Sequence, residues 1–196
     1  MRMDNLKCIV IILIFLSSIY FPGQAEVAAQ TQEKESRYEL GFITGAGTGR
    51  IAEGHYNVLL LAAHLGYNLK TAPYGLERSG IFSLFIEPQA NPIFEPRSDY
   101  EAGIGLGAQY LYSLTKKFNP YILASAGPHY LSLNSTDQAP GFNILLTAGA
   151  GSYYYLDSKT AINIGWRFRH ISNAGMRRPN IGINMHCGVI GLSFFF

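Results

Sequence analysis

Trp166-Arg167-Phe168-Arg169-His170-Ile171-Ser172-Asn173-Ala174-Gly175, followed by Pro179-Asn180-Ile181-Gly182-Ile183-Asn184, decides how this chain is read. As one strand over 161–172, it places Ile162, Ile164, Trp166, Phe168, His170 and Ser172 on one face, and Asn163, Arg167 and Arg169 on the other. Two arginines are poorly suited to a small soluble core, where an unpaired buried charge is costly. A membrane barrel removes the conflict: the apolar face meets lipid, the arginines meet a polar lumen, and the histidine and serine open towards the bilayer. Met176 to Asn180 then form a turn-rich break. A hairpin centred near Arg177 sets Asn184 opposite His170 on the same face, together with Gly182, His186, Ile190, Leu192, Phe194 and Phe196.

Outward from that stretch, the rest of the chain fits one barrel. Of its residues, 48% are hydrophobic and 14% charged, yet after the amino terminus no apolar run is long enough for a spanning helix. Strands are expected near 38–50, 55–69, 79–90, 99–113, 119–133, 142–156, 159–172 and 181–196. Eight is an even number, so an all-β antiparallel transmembrane barrel can close. The fourth strand has the clearest pattern, with Ile104, Leu106, Ala108, Tyr110 and Tyr112 opposing Glu101, Gly103, Gly105, Gly107 and Gln109. The second alternates only weakly. One barrel over 38–196 leaves no room for a second domain. Eight strands also leave an interior that side chains nearly fill, which argues against a channel.

Residues 1–25 have the layout of a secretory signal peptide, with Arg2 and Lys7 before an apolar run from Cys8 to Tyr20 and small residues at Gly23-Gln24-Ala25. Residues 26–37 are expected to form a mobile tail. After cleavage Cys187 is the one remaining cysteine, so no internal disulfide can form, and it is read as a small lumen-facing residue. The terminal Phe194-Phe195-Phe196 looks like the aromatic signal recognised by the barrel assembly machinery. A formal charge of +2 does not suggest nucleic acid as a partner.

With the mature amino terminus in the periplasm, the seventh strand carries His170 and Ser172 to the outer end, at the level of the outer leaflet. Phe168 to Gly175 with Pro179 to Asn184 resembles the signature of the lipid A 3-O-deacylases (PagL-like, also grouped with acyloxyacyl hydrolase-related proteins). The likeness is strongest over the carboxyl-terminal stretch and is supported more weakly by Phe118-Asn119-Pro120-Tyr121 with Gly127. It implies an outer-membrane esterase that hydrolyses the 3-O-linked acyl chain of lipid A in lipopolysaccharide without a cofactor. It also implies Ser172 as nucleophile, His170 as general base, and Asn173 with the Gly175 amide as oxyanion hole.

The chain departs from that pattern at one position, because Asn184 stands where better-known members carry a glutamate. Asparagine can orient the imidazole but adds no negative charge, so lower activity, or none, is expected. The competing reading is a structural or adhesive barrel that keeps the motif without catalysis; a small lipid-binding barrel is a third. Arg177 and Arg178, in the loop beside the serine, suit the phosphates of lipid A.

Other polar residues are assigned blander roles. Glu87, Glu95, Asp99 and Glu101 are expected to balance Arg167 and Arg169 inside the barrel rather than to act as paired catalytic acids. His55, His64, His129 and His186 lack metal-ligand spacing; His186 is assigned to the interfacial belt.

Overall fold

The computed structural model describes residues 36–69 and 80–196, so the expected signal peptide and almost all of the expected tail lie outside the described residues. Eight strands follow in chain order: β1 (Tyr38–Ile51), β2 (Gly54–Leu69), β3 (Gly80–Glu95), β4 (Asp99–Tyr112), β5 (Phe118–Leu131), β6 (Gly141–Tyr155), β7 (Thr160–Ser172) and β8 (Ile183–Phe195). Each pairs antiparallel with its neighbour, and β8 pairs with β1 to close the barrel. Closure leaves no sheet edge unpaired, which a lipid-exposed backbone requires.

The alternation read in β4 and β7 separates wall from interior as expected. Ile104, Leu106, Ile164 and Trp166 point outward, while Glu101, Gln109, Asn163, Arg167 and Arg169 are buried. The weakly patterned β2 resolves the same way, with Tyr56, Val58, Leu60 and His64 inside and Leu61, Leu65 and Tyr67 outside.

The interior is layered rather than uniformly polar. An apolar cluster including Tyr56, Ile93, Leu133, Ile171, Ile183 and Met185 fills the outer end, and Phe85, Tyr121, Tyr153, Tyr155 and Phe195 fill the other. Two ion pairs lie between them. Arg167 grips Glu87 with both terminal nitrogens, the Nη2–Oε2 distance being 3.1 Å, and Glu87 also meets His64 at 3.1 Å. Arg169 Nη1 lies 2.7 Å from Glu101 Oε1. Glu95 and Asp99 were expected in this interior role but sit at the outer rim, where Glu95 accepts from Asn57 Nδ2 at 2.5 Å and Asp99 pairs with Arg97 at 3.0 Å. Cys187 is buried in the outer-end cluster, as its small size suggested.

β3 departs most from expectation. It was expected to end at 90 because Asn91-Pro92 reads as a loop, but it continues to Glu95. Proline has no N–H to give to a ladder. The β2–β3 ladder is accordingly interrupted near Pro88 and Pro92 and shifts register between Asn57 and Val58. The Asn91 side chain takes over part of the missing pairing by accepting from the Leu61 amide at 2.9 Å.

Candidate active site on the outer wall

β7 ends at Ser172 because the chain turns sharply there. Ala174 (φ 52°) and Gly175 (φ 78°) both adopt positive φ, and the Met176 amide closes onto the Asn173 carbonyl at 3.0 Å. The β7–β8 loop is then fixed to its neighbours. Ala139 N donates to Pro179 O at 2.9 Å, Ile181 N to Asp137 O at 2.7 Å, and Gln138 forms a bridge with Asn180. Asp137 also accepts from Ala52 N at 2.8 Å, and Glu53 accepts from Thr136 N at 2.6 Å. Three outer loops therefore form one interlocked rim that holds the end of β7. The Thr136 amide also keeps the Glu53 carboxyl below its usual range.

On this rim His170 pairs with Asn184 across the β7–β8 ladder, the register read from the sequence. Their side chains meet, with Nδ1 of His170 2.7 Å from Oδ1 of Asn184. An amide oxygen only accepts, so Nδ1 carries a proton, and in the neutral ring Nε2 is then the nitrogen with the lone pair. Ser172 is half-buried on the same outward face, two residues on, and no hydrogen bond joins it to His170 among the described residues. No carboxylate lies within ion-pair distance of His170 among the described residues.

Asn173 is placed differently from its expected role. It is fully buried, and its Nδ2 donates to Arg177 O at 3.0 Å while its backbone amide donates to Asn180 Oδ1 at 2.7 Å. The backbone amide and one side-chain N–H of Asn173 therefore hold the loop. The Gly175 amide has no partner among the described residues. Asn180, to which the sequence assigned no role, has its oxygen anchored and its Nδ2 without a partner among the described residues, beside the serine loop. Its place after Pro179 in the quoted motif was the only available signal. Arg177 folds back over Gly141 and donates to Phe142 O at 3.3 Å, and Arg178 is exposed. His186 stacks on Trp166, with centroids 5.6 Å apart and planes 22° apart, as an interfacial residue.

The family model for Lipid A 3-O-deacylase (PagL) matches residues 23–193. The chain belongs to the lipid A 3-O-deacylase family. Two solved structures share the fold of this deacylase-family barrel. One is the outer membrane enzyme PagL, at 18% identity and TM-score 0.56, covering 78% of this chain and 97% of that one. The other is Neisserial surface protein A, at 14% identity and TM-score 0.62, covering 82% and 98%. A search among curated proteins gives no significant match. Family and fold together place this deacylase-family chain in the outer membrane.

Gly182 is a further part of this site. Its φ is +92°, and a Cβ built there would stand 2.7 Å from Cε1 and 3.3 Å from Nε2 of His170. The imidazole occupies its position because residue 182 has no side chain. Gly182→Ala is expected to push the His170 ring about an ångström away from its place beside Asn184, because the new Cβ would claim the space the ring fills. Nitrogen-15 NMR of the imidazole checks this: the Nδ1-protonated signature should be lost while the folded-barrel gel mobility is kept.

Proposed function

We propose that this chain is an esterase of the outer leaflet that removes the 3-O-linked acyl chain of lipid A, with Asn184 orienting the general base His170 for the nucleophile Ser172. The observation that carries the reading is the 2.7 Å contact from His170 Nδ1 to Asn184 Oδ1 on the lipid-facing rim, with Ser172 on the same face. The wall below is apolar, with Ile164, Trp166 and Ile190 exposed, and so suits acyl chains while the sugar stays at the rim.

In this mechanism Nε2 of His170 takes the proton as Ser172 Oγ attacks the ester carbonyl. The Gly175 amide and the Asn180 side-chain amide are the donors available to the tetrahedral oxyanion, with Asn173 supporting the loop that presents them. Nε2 then returns the proton to the departing sugar oxygen. A water activated by the same nitrogen cleaves the acyl-serine and releases a 3-hydroxy fatty acid.

Residues 1–25 direct the chain through the Sec pathway, and the terminal aromatic residues engage the barrel assembly machinery; Ser36 and Arg37, expected in the mobile tail, are instead bonded to Asn68 and Phe196. Mass spectrometry of lipid A from cells expressing this chain tests the reading: loss of one 3-hydroxyacyl mass is expected with the wild type and not with Ser172→Ala. Unchanged lipid A from wild-type cells, with the barrel folded in the membrane, would favour the non-catalytic barrel instead.

Arg177 and Arg178 are read as contacts to a lipid A phosphate. Replacing both with alanine is expected to raise KM for lipid A about tenfold at low salt, with the difference shrinking at high salt as the charges are screened. Equal KM values at both salt concentrations would remove them from the binding site.

A further inference from the structure

The row of outward side chains that holds His170 and Asn184 continues past them. The β1–β8 register runs to Gly49↔Met185, so the next residue, Arg50, comes alongside Asn184, and Arg50 in turn pairs with His55 on β2. With strands about 4.8 Å apart, the Arg50 backbone stands on the order of 10 Å from that of His170. Arg177, by contrast, leans over Gly141 and Phe142 on the β6 side. Cations therefore flank the His170–Asn184 pair on both sides.

Arg50 and His55 are exposed, and neither side chain has a hydrogen-bond or ion-pair partner among the described residues. The acids of this rim are turned to other groups. Glu53 accepts from the Thr136 amide and hydroxyl, Asp137 from the Ala52 amide, and Glu95 from Asn57 Nδ2. Arg97, a cation of the same end, is paired with Asp99. Below Arg50 on the outer wall come Thr48 and His186, then the small apolar Ala46 and Gly188. That sequence puts the guanidinium where a polar headgroup meets its acyl chains.

We propose that Arg50, with His55 beside it, forms a second anion subsite that holds a phosphate monoester of the glycolipid headgroup, on the flank opposite Arg177. The proposal rests on the reading of this chain as a lipid A hydrolase. A planar guanidinium fork suits phosphate oxygens. A disaccharide phosphorylated at both ends and held at both flanks would lie across the His170–Asn184 pair, with its ester facing Ser172.

The test measures binding without hydrolysis. In a Ser172→Ala background, detergent-solubilised protein is titrated at low salt with bisphosphorylated lipid A and with each of its two monophosphorylated forms. Binding is followed by calorimetry and by the emission of Trp166, the single tryptophan, which sits on the outward face. Arg50→Gln is expected to weaken binding of the bisphosphorylated form about tenfold, the scale of one charge-assisted contact. The penalty should fall below about twofold on one monophosphorylated form and persist on the other. Arg97→Gln should shift none of the three by more than about twofold. A penalty equal on all three ligands, shared by Arg97→Gln, or absent would overturn the proposal. Failure of the wild type to cleave lipid A would count against the esterase reading alone.

Discussion

Ser172→Ala is expected to lower release of 3-hydroxy fatty acid by at least about three decades, and Asn184→Glu is expected to raise it by about one to two. The two changes probe opposite ends of one hydrogen-bonded line. Alanine removes the atom that attacks and leaves the oxyanion donors in place, so a small residual rate remains. Glutamate keeps an acceptor near Nδ1 and adds a charge that stabilises the imidazolium formed in the transition state, a stabilisation the 2.7 Å contact to Asn184 supplies only as an amide dipole. Asn184→Ala keeps neither and should cost about two decades, with little effect on folding because the residue is exposed on the outer wall. The assay is fatty acid release from purified lipid A in detergent, with folding checked by heat-modifiable gel mobility. A wild-type rate abolished by Ser172→Ala but indifferent to both Asn184 changes would refute the orienting role. Cleavage that appears only in Asn184→Glu would mark a lapsed triad.

Glu101→Ala is expected to destabilise the barrel by about 3–5 kcal/mol, because it leaves the buried Arg169 charge without its partner. Glu101 is 0% exposed and Arg169 1%. Besides its 2.7 Å contact to Arg169, Glu101 accepts from Tyr56 Oη at 2.6 Å and Asn91 Nδ2 at 2.8 Å. Once the carboxylate is gone, Arg169 keeps Gln89 Oε1 at 2.8 Å but no counter-charge within ion-pair distance. Replacing both partners, as Glu101→Leu with Arg169→Met, should recover most of the loss, since an apolar pair leaves no charge to solvate. Urea titration of folding into vesicles measures both. A Glu101→Ala midpoint equal to wild type would show that water reaches this layer.

The wall of this barrel was legible from the sequence where a strand alternates strictly, as β4 and β7 do. The arginines of β7 were informative because they could not face lipid. The His170–Asn184 register was legible because a hairpin fixes which residues face each other once its centre is known. β3 was misjudged at Pro92 because a proline that ends most strands is tolerated where a side chain, here Asn91, can stand in for the ladder. The role of Asn173 was hidden for another reason: its buried side chain bonds the Arg177 backbone and its own amide bonds the Asn180 side chain, contacts that exist only once the loop has closed. Gly182 was read only as the first outward position of the last strand, and the imidazole lying against it shows what its missing side chain permits.

The plugged interior has a consequence for traffic. With apolar side chains packed at both ends and ion pairs between them, nothing needs to pass along the barrel axis. His170, Ser172 and Asn184 lie on β7 and β8, two of the eight staves, and face sideways. For the proposed site this means that substrate arrives by diffusion within the leaflet, that its abundance is a surface density, and that the cleaved chain departs into the same plane. A lipid that meets the β3–β4 side has met the face opposite the proposed site, and it reaches that site only by moving round the barrel or by the barrel turning beneath it.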